Sequence, residues 1–118
     1  MNSFGRIIRR ARKRWNMTQR DVADRIMKED GSPISLSYLN DLEHDRRNPP
    51  PDFLLSQFAA VLKIPVECLY LLAERIPPPM ANIYKSQTTG STDHEAYYER
   101  AVAAYKAFED ALQQPQAA

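Results

Sequence analysis

Apolar residues recur every three or four positions along most of this 118-residue chain, a spacing that places them on one face of an α-helix. Phe4, Ile8, Ala11 and Trp15 begin the pattern, and later segments repeat it. Apolar and polar residues nowhere alternate over more than a few positions, as they would in a half-buried strand. The chain is therefore predicted to be all-α.

Capping residues and prolines divide this pattern into six predicted helices. Thr18 and Ser35 belong to the residue types that favour helix N-caps, and the three consecutive prolines at 49–51 and at 77–79 cannot continue a helix. The helices are expected at about 3–15, 18–28, 35–44, 52–62, 65–74 and 93–113. We predict three parts, namely a five-helix domain in 1–76, a Pro-rich and polar linker in 77–92 and an amphipathic helix in 93–118.

The composition argues against several classes of protein. Cys68 stands alone, which excludes an intramolecular disulfide and favours a reducing compartment. No apolar run approaches the roughly 20 residues of a membrane span, and the basic, polar N-terminus does not resemble a signal peptide. A cytoplasmic protein without a membrane partner is therefore expected.

Motifs of catalysis and metal binding are also missing from the sequence. His44 and His94 have no second ligand at metal-binding spacing. There is no Gly-rich phosphate loop and no Gly-x-Ser-x-Gly sequence. We therefore expect no metal, no cofactor and no enzymatic activity.

Charge is distributed unevenly along the chain, although the net charge is only +1. Residues 1–20 contain seven basic side chains and no acidic one, whereas residues 93–110 contain five acidic and two basic side chains. Such asymmetry indicates an electrostatic footprint for a polyanion at one end of the chain. A solvated helix face is the alternative explanation of the basic run.

Residues 18–44 have the features of a helix-turn-helix, in which two short helices are joined by a turn. Thr18 and Gln19 open the first helix, where unpaired backbone N–H groups can hold a phosphate. Ser35 caps the second helix, which needs an exposed polar face to enter a major groove about 12 Å wide. That face is expected to present Leu36, Ser37, Tyr38, Asn40 and Asp41 toward bases or sugars.

The same residues carry a resemblance to a known family. The stretches 17–26 (MTQRDVADRI), 34–43 (ISLSYLNDLE) and 46–50 (RRNPP) resemble the Cro/C1-type, or XRE, helix-turn-helix family, and the match extends over roughly residues 3–76. The resemblance implies a five-helix lambda-repressor-like DNA-binding domain. It also implies a dimer on a two-fold operator and, in most cases, transcriptional repression.

The resemblance further assigns roles to individual positions. It implies that 35–44 form the recognition helix, and that Gln19 contacts a phosphate or a base. Arg12 and Glu43 occupy the positions of an ion pair, which we expect to be structural rather than DNA-contacting. Basic and polar residues that follow the recognition helix are expected to contact backbone phosphates, namely Arg46, Arg47 and Asn48.

Three features depart from the family pattern. The turn between the second and third helices, 27–34, is longer than usual, and its extra residues 28–33 either extend the second helix or bulge toward solvent. Asn16 replaces a common Gly, which is tolerated because Asn also adopts positive φ. Trp15 is either a core residue or a partly exposed cover for the first helix.

The candidate contact residues differ in chemistry. Asn40 can bond adenine N6 and N7, Ser37 can serve several bases, and Leu36 can meet a thymine methyl. Tyr38 contacts a sugar or phosphate, or packs on its own helix; Asp41 accepts from cytosine, orients an arginine or is a spectator. The complete predicted DNA-binding set is Thr18, Gln19, Arg20, Ser35, Leu36, Ser37, Tyr38, Asn40, Asp41, Arg46, Arg47 and Asn48.

The predicted C-terminal helix has an apolar stripe that must be buried. Its burial partner is the chain's own domain, the same helix of a second subunit, or another protein. We expect a homodimer, because one helix-turn-helix makes few contacts and two half-sites supply more. The predicted dimerisation residues are Tyr98, Val102, Tyr105, Phe108 and Leu112.

The sequence thus predicts a dimeric, sequence-specific repressor that binds double-stranded DNA at a pseudo-palindromic operator. An alternative is an antitoxin-like or regulatory module whose C-terminal helix captures a partner protein. A third possibility is an activator that contacts RNA polymerase through the acidic surface of that helix.

Overall fold

The computed structural model describes residues 2–75 and 92–114, and within these ranges all regular structure is helical. This confirms the predicted all-α fold. Most of the predicted linker, 77–91, and the last four residues lie outside the described residues, so the predicted division into parts stays a prediction. The six helices are α1 Phe4–Arg14, α2 Gln19–Ala23, α3 Leu36–Glu43, α4 Asp52–Leu62, α5 Val66–Leu72 and α6 Thr92–Gln113.

The first three helices begin at side-chain caps. Ser3 Oγ accepts from the Arg6 amide at 3.1 Å, and Ser35 Oγ accepts from the Tyr38 amide at 3.0 Å. Thr18 and Asp21 form a reciprocal capping box, and the hydrogen bonds from the Thr18 amide and hydroxyl hold the pKa of the Asp21 carboxyl below its usual value. Caps of this kind stabilise a helix by about 1 kcal/mol. Because Thr18 and Ser35 are the N-caps of α2 and α3, the predicted starts of these helices are confirmed.

Residues in the left-handed region separate the helices. Asn16 follows α1 with φ 53°, and Asp45 follows α3 with φ 57°. Lys63 ends α4 with φ 55°. Asn tolerates this conformation better than most residues, which confirms the predicted stop at Asn16.

The core lies between α1 and the remaining helices. Fully buried side chains include Ile7 and Ile8 of α1, Leu39 of α3 and Phe58 of α4. Each such side chain contributes roughly 1.5–3 kcal/mol through burial of apolar surface. Because Leu39 is buried, the opposite side of α3 faces solvent.

The long turn after α2 bulges toward solvent, which decides between the two predicted alternatives. The expectation that the second helix runs to about residue 28 is wrong, because α2 ends at Ala23. Ile26 turns into the core with no exposed surface, and its carbonyl accepts from the Ile34 amide at 2.9 Å. Residues 27–33, hereafter the charged hairpin, project into solvent between the buried residues Ile26 and Ile34.

The C-terminal helix α6 packs on α5 and α1 of the same chain. Ala101 and Tyr105 are buried, with 1% and 3% of their surfaces exposed. The Tyr105 hydroxyl accepts from the Asn2 amide at 2.6 Å and donates to the Glu109 carboxylate at 2.7 Å. Of the three burials considered for this helix, the structure shows the one against its own domain.

Trp15 is a partly exposed cover for the end of α1. Its indole N–H donates to the Leu62 carbonyl at 2.8 Å. The Lys63 ammonium lies 4.6 Å from the ring centroid, within cation–π range. The tryptophan therefore ties the end of α1 to the end of α4.

Candidate nucleic-acid interface

The exposed side of α3 is a polar surface held on an apolar base. Leu39 and Leu42 point into the core, with 0% and 1% of their surfaces exposed. Ser37 is exposed. The other side chains of this surface are partly exposed, namely Leu36, Tyr38, Asn40 and Asp41. This surface is of the kind that a recognition helix needs, because Ser37 exposes a short hydroxyl side chain.

A buried ion pair fixes α3 to α1. The Arg12 guanidinium donates from Nε and Nη2 to the two carboxylate oxygens of Glu43, at 2.7 and 2.9 Å. The Glu43 side chain is 1% exposed and the Arg12 side chain 12%. Two parallel charge-assisted bonds give such a pair a defined geometry. The structure thus brings together the two residues at which the family resemblance implies an ion pair.

The same carboxylate orients two further side chains at the junction of α2 and α3. Gln19 Nε2 donates to Glu43 Oε1 and to Asn40 Oδ1, each at 3.1 Å. Because an ionised carboxylate only accepts hydrogen bonds, the nitrogen of Gln19 must face Glu43. Asn40 then presents its oxygen to Gln19 and keeps its Nδ2 group to donate elsewhere.

This network changes the roles expected for Gln19 and Asn40. Both hydrogens of the Gln19 amide nitrogen are used within the protein, so its side chain keeps only an acceptor for an outside group. Asn40 lies at the α2–α3 junction, where its Oδ1 accepts from Gln19 and its Nδ2 group keeps its donors. The backbone of Asn40 is also engaged, since its carbonyl lies 2.8 Å from His44 Nδ1.

Arginines surround the carboxylate of Asp41 beside the end of α3. Arg46 Nε lies 3.7 Å and Arg47 Nε 3.9 Å from its oxygens. The Arg47 guanidinium also lies 5.3 Å from the ring centroid of Tyr38. Both arginines are 58% exposed, so these contacts stabilise the fold little. Their geometry matches the alternative in which Asp41 orients a neighbouring arginine.

The loop that carries Arg46 and Arg47 is anchored at both ends. At its start, Asp45 accepts from Ser3 Oγ at 2.6 Å and from the Gly5 amide at 2.9 Å. At its end, Arg75 Nη2 donates to the Pro49 carbonyl at 2.6 Å. Asn48, between these anchors, is exposed. The sequence reasoning missed Asp45, Gly5 and Arg75, because no local pattern marks contacts that are so distant along the chain.

A helix-turn-helix family model of the XRE, Cro/C1 type matches residues 8–67, about half of the chain. This chain belongs to that family. A search of curated proteins and a search of solved structures found no significant match. The XRE family comprises DNA-binding transcriptional regulators, so the polar surface of α3 belongs to a DNA-binding domain.

This XRE-family protein has a second basic surface beside the end of α3. An open cleft of about 650 Å³ lies between α1 and the loop after α3, and its basic lining is Arg6, Arg9, Arg10, Lys13 and His44. Four of the seven basic side chains of residues 1–20 therefore line this cleft, together with Glu43 and Asp45, whereas Arg12 pairs with Glu43 and Arg14 lies over Trp15. Such a surface attracts the phosphate backbone of DNA.

The remaining predicted DNA-binding residues of the XRE domain lie around these surfaces. Arg20 is exposed on α2, where it can reach a phosphate. The hydroxyls of Thr18 and Ser35 accept the capping hydrogen bonds of α2 and α3. Their first role is therefore to hold the two helices of the motif in place.

The described part of the XRE protein has neither a metal-ligand cluster nor a membrane-spanning helix, and its cysteine is buried. Within 2–75 and 92–114, no three His, Cys, Asp or Glu side chains lie close enough to hold a metal ion. Burial raises the pKa of the Cys68 thiol to about 12, so this cysteine is a packing residue rather than a nucleophile. None of the described helices is long and apolar enough to cross a bilayer.

Proposed function

We propose that this protein is a sequence-specific repressor that binds double-stranded DNA as a dimer on a pseudo-palindromic operator. The observation that carries the proposal is the α3 surface, in which Ser37 and Asp41 face outward over buried Leu39 and Leu42. Arg46 and Arg47 flank this surface. Membership of the XRE family supports DNA binding and transcriptional regulation.

The proposed reading of bases uses side chains along the outer surface of α3. Ser37 and Asp41 lie nearest the centre of the groove, with Leu36 able to meet a thymine methyl. Asn40 donates from Nδ2, which suits the acceptors at O6 and N7 of guanine or N7 of adenine. The negative charge of Asp41 repels phosphates. Its carboxylate either accepts from the exocyclic amine of a base such as cytosine or guides Arg47 toward a guanine.

The proposed phosphate contacts lie on both sides of the recognition helix. Arg46, Arg47 and Asn48 contact one strand from the loop after α3. The Arg20 side chain and the backbone amide of Gln19, at the start of α2, contact the other strand. Contacts of this kind fix the register of the protein on the duplex but carry no sequence information.

A second subunit is proposed because one α3 helix reads only a few base pairs. Two half-sites one helical turn apart, about 34 Å, supply the contacts that tight operator binding needs. Tyr105 is buried within its own chain, and Phe108 and Leu112 pack against the same core. Tyr98, 57% exposed, and the partly buried Val102 are therefore the members of the predicted stripe that remain available to a second copy.

Selection of the full-length protein on random duplex DNA tests this proposal. We expect an enriched motif with two related half-sites, and an affinity that falls steeply with salt because bound phosphates release counterions. Replacing Ser37 with Ala should relax the preference at one position of each half-site. If no motif is enriched, sequence-specific recognition is ruled out for this chain.

The exposed Tyr98 also favours a second candidate, an antitoxin-like module that captures a partner protein. Tyr98 lies between the exposed acidic side chains of Glu95 and Glu99. Replacing Tyr98 with Ser separates the two functions while leaving the buried side of α6 intact. A change from dimer to monomer in sedimentation supports the repressor, whereas an unchanged dimer that loses a co-purifying protein supports the partner-binding module.

A further inference from the structure

We propose that the charged hairpin, 27–33, supplies a DNA contact of its own. Its Lys28 and the Tyr38 hydroxyl hold one backbone phosphate of the operator in a pocket beside the start of α3. This inference rests on the proposed function, because it places an additional contact on the same DNA. The hairpin is the segment in which the chain departs from the usual short turn of its family.

The charged hairpin has a fixed shape and position. An antiparallel bridge joins Met27 to Pro33, and the Lys28 amide donates to the Ser32 carbonyl at 2.7 Å. Gln57 of α4 holds the base of the hairpin, accepting from the Met27 amide at 2.8 Å and donating to the Met27 carbonyl at 2.9 Å. Because the backbone is already ordered, a ligand at Lys28 needs to order only one side chain.

The pocket beside the start of α3 combines apolar walls with side chains that can donate to a phosphate. Its volume is about 190 Å³. Ile34 and Leu54 contribute apolar walls, and the polar lining comes from Lys28, Ser35 and Tyr38. Ser35 Oγ accepts the capping hydrogen bond of α3 and keeps its O–H to donate, so Lys28, Tyr38 and Ser35 supply the groups that can donate to a phosphate oxygen.

The electrostatic surroundings of Tyr38 favour an anion. Among the described residues, no hydrogen bond uses the Tyr38 hydroxyl, and burial raises its pKa above the usual value, so it stays protonated and able to donate. Arg47 lies over the ring at 5.3 Å, and Lys28 lines the pocket beside it. The positive charges of Arg47 and Arg75 act on the Tyr38 hydroxyl and oppose the rise of its pKa, and charge-assisted hydrogen bonds to phosphate are among the stronger ones.

The acids of the hairpin restrict the contact to Lys28. Glu29 and Asp30 are exposed at the tip, where they repel a phosphate backbone. The Asp30 carboxylate accepts from the Ser32 hydroxyl and, at 2.9 Å, from the Ser32 amide. These bonds hold the pKa of Asp30 below its usual value. The tip thus stays charged and points to solvent, whereas Lys28 at the base lies beside α3.

The test compares Lys28→Ala with Lys106→Ala in the full-length protein, on the duplex recovered by selection. Both variants remove one exposed positive charge, but Lys106 lies on α6. We expect Lys28→Ala to lower the slope of log affinity against log salt by about 0.9, the value of one phosphate contact. The loss of affinity of Lys28→Ala relative to wild type should therefore be about 3.5-fold smaller at 200 mM salt than at 50 mM salt.

Phosphate-ethylation interference locates the contact on the DNA. In wild type, ethylation of one flanking phosphate should weaken binding, and this signal should disappear in Lys28→Ala and remain in Lys106→Ala. Tyr38→Phe should weaken the same signal without changing the salt slope, because it removes a neutral donor. Lys28→Arg should restore both the salt slope and the ethylation-interference signal of the wild type.

Two results separate this inference from the proposed function. Identical salt slopes and interference patterns for Lys28→Ala and Lys106→Ala would overturn the hairpin contact while leaving the repressor intact. Failure of the wild-type protein to enrich any DNA would overturn both. Full binding by a variant with residues 28–33 shortened to Gly-Gly would also exclude the contact, provided that circular dichroism shows the same helix content.

Discussion

Replacing the partners of the Arg12–Glu43 pair one at a time, and then together, tests how this pair acts. Arg12→Met leaves a carboxylate with 1% of its side chain exposed, and it keeps only the hydrogen bond from Gln19. Breaking a buried ion pair from one side costs about 3–5 kcal/mol. Glu43→Leu leaves the better-exposed guanidinium of Arg12, so we expect a loss near the lower end, about 3 kcal/mol.

The double variant Arg12→Met/Glu43→Leu distinguishes pairing from packing. Because two apolar side chains of similar size remove both charges, its free energy of unfolding should lie within about 1 kcal/mol of wild type, rather than about 6–8 kcal/mol below it. The measurement is urea denaturation at constant m-value. Additive losses in the double variant would refute a mutually dependent pair.

The same double variant tests whether the pair positions the α3 surface. Gln19 loses its carboxylate partner and no longer fixes the amide of Asn40. We therefore expect a stable protein whose binding to its selected duplex is weaker by about 1–3 kcal/mol, the value of one specific base contact. Wild-type affinity in the stable double variant would show that Asn40 needs no such support.

Further predictions concern residues away from α3. Tyr105→Phe leaves a buried backbone amide without its acceptor and should lower the free energy of unfolding by about 1–3 kcal/mol in urea titration, whereas the exposed Tyr98→Phe should not. Gly5→Ala places a methyl group on the Leu42 carbonyl and should cost at least about 1–3 kcal/mol, measured as a lower Tm; an unchanged Tm would show that α1 and α3 can separate. Burial raises the pKa of the Cys68 thiol to about 12 from its usual 9.0, so the native state holds this proton more tightly than the unfolded state. Its contribution to stability should be complete below about pH 9 and lost between pH 9 and 12, and native protein at pH 8 should resist alkylation until urea unfolds it.

The sequence alone determined the helices and most of their boundaries. Helical periodicity, the caps at Thr18 and Ser35 and the left-handed Asn16 all act within one or two helical turns. These signals also identified which helix carries the polar surface. The family pattern located Arg12 and Glu43, whose pairing joins positions 31 residues apart.

Only the tertiary structure decided how these helices combine into a surface. Asn40 looked like an outward reader, yet the packing of α2 against α3 turns its oxygen toward Gln19. The apolar stripe of α6 had to be buried, but its spacing is the same whether it packs on this domain or on a second copy. Local patterns fix which side of a helix is apolar. The angle and partner of that side depend on contacts between residues far apart in the chain, such as Asn2 with Tyr105, because their energy is gained only when the whole core assembles.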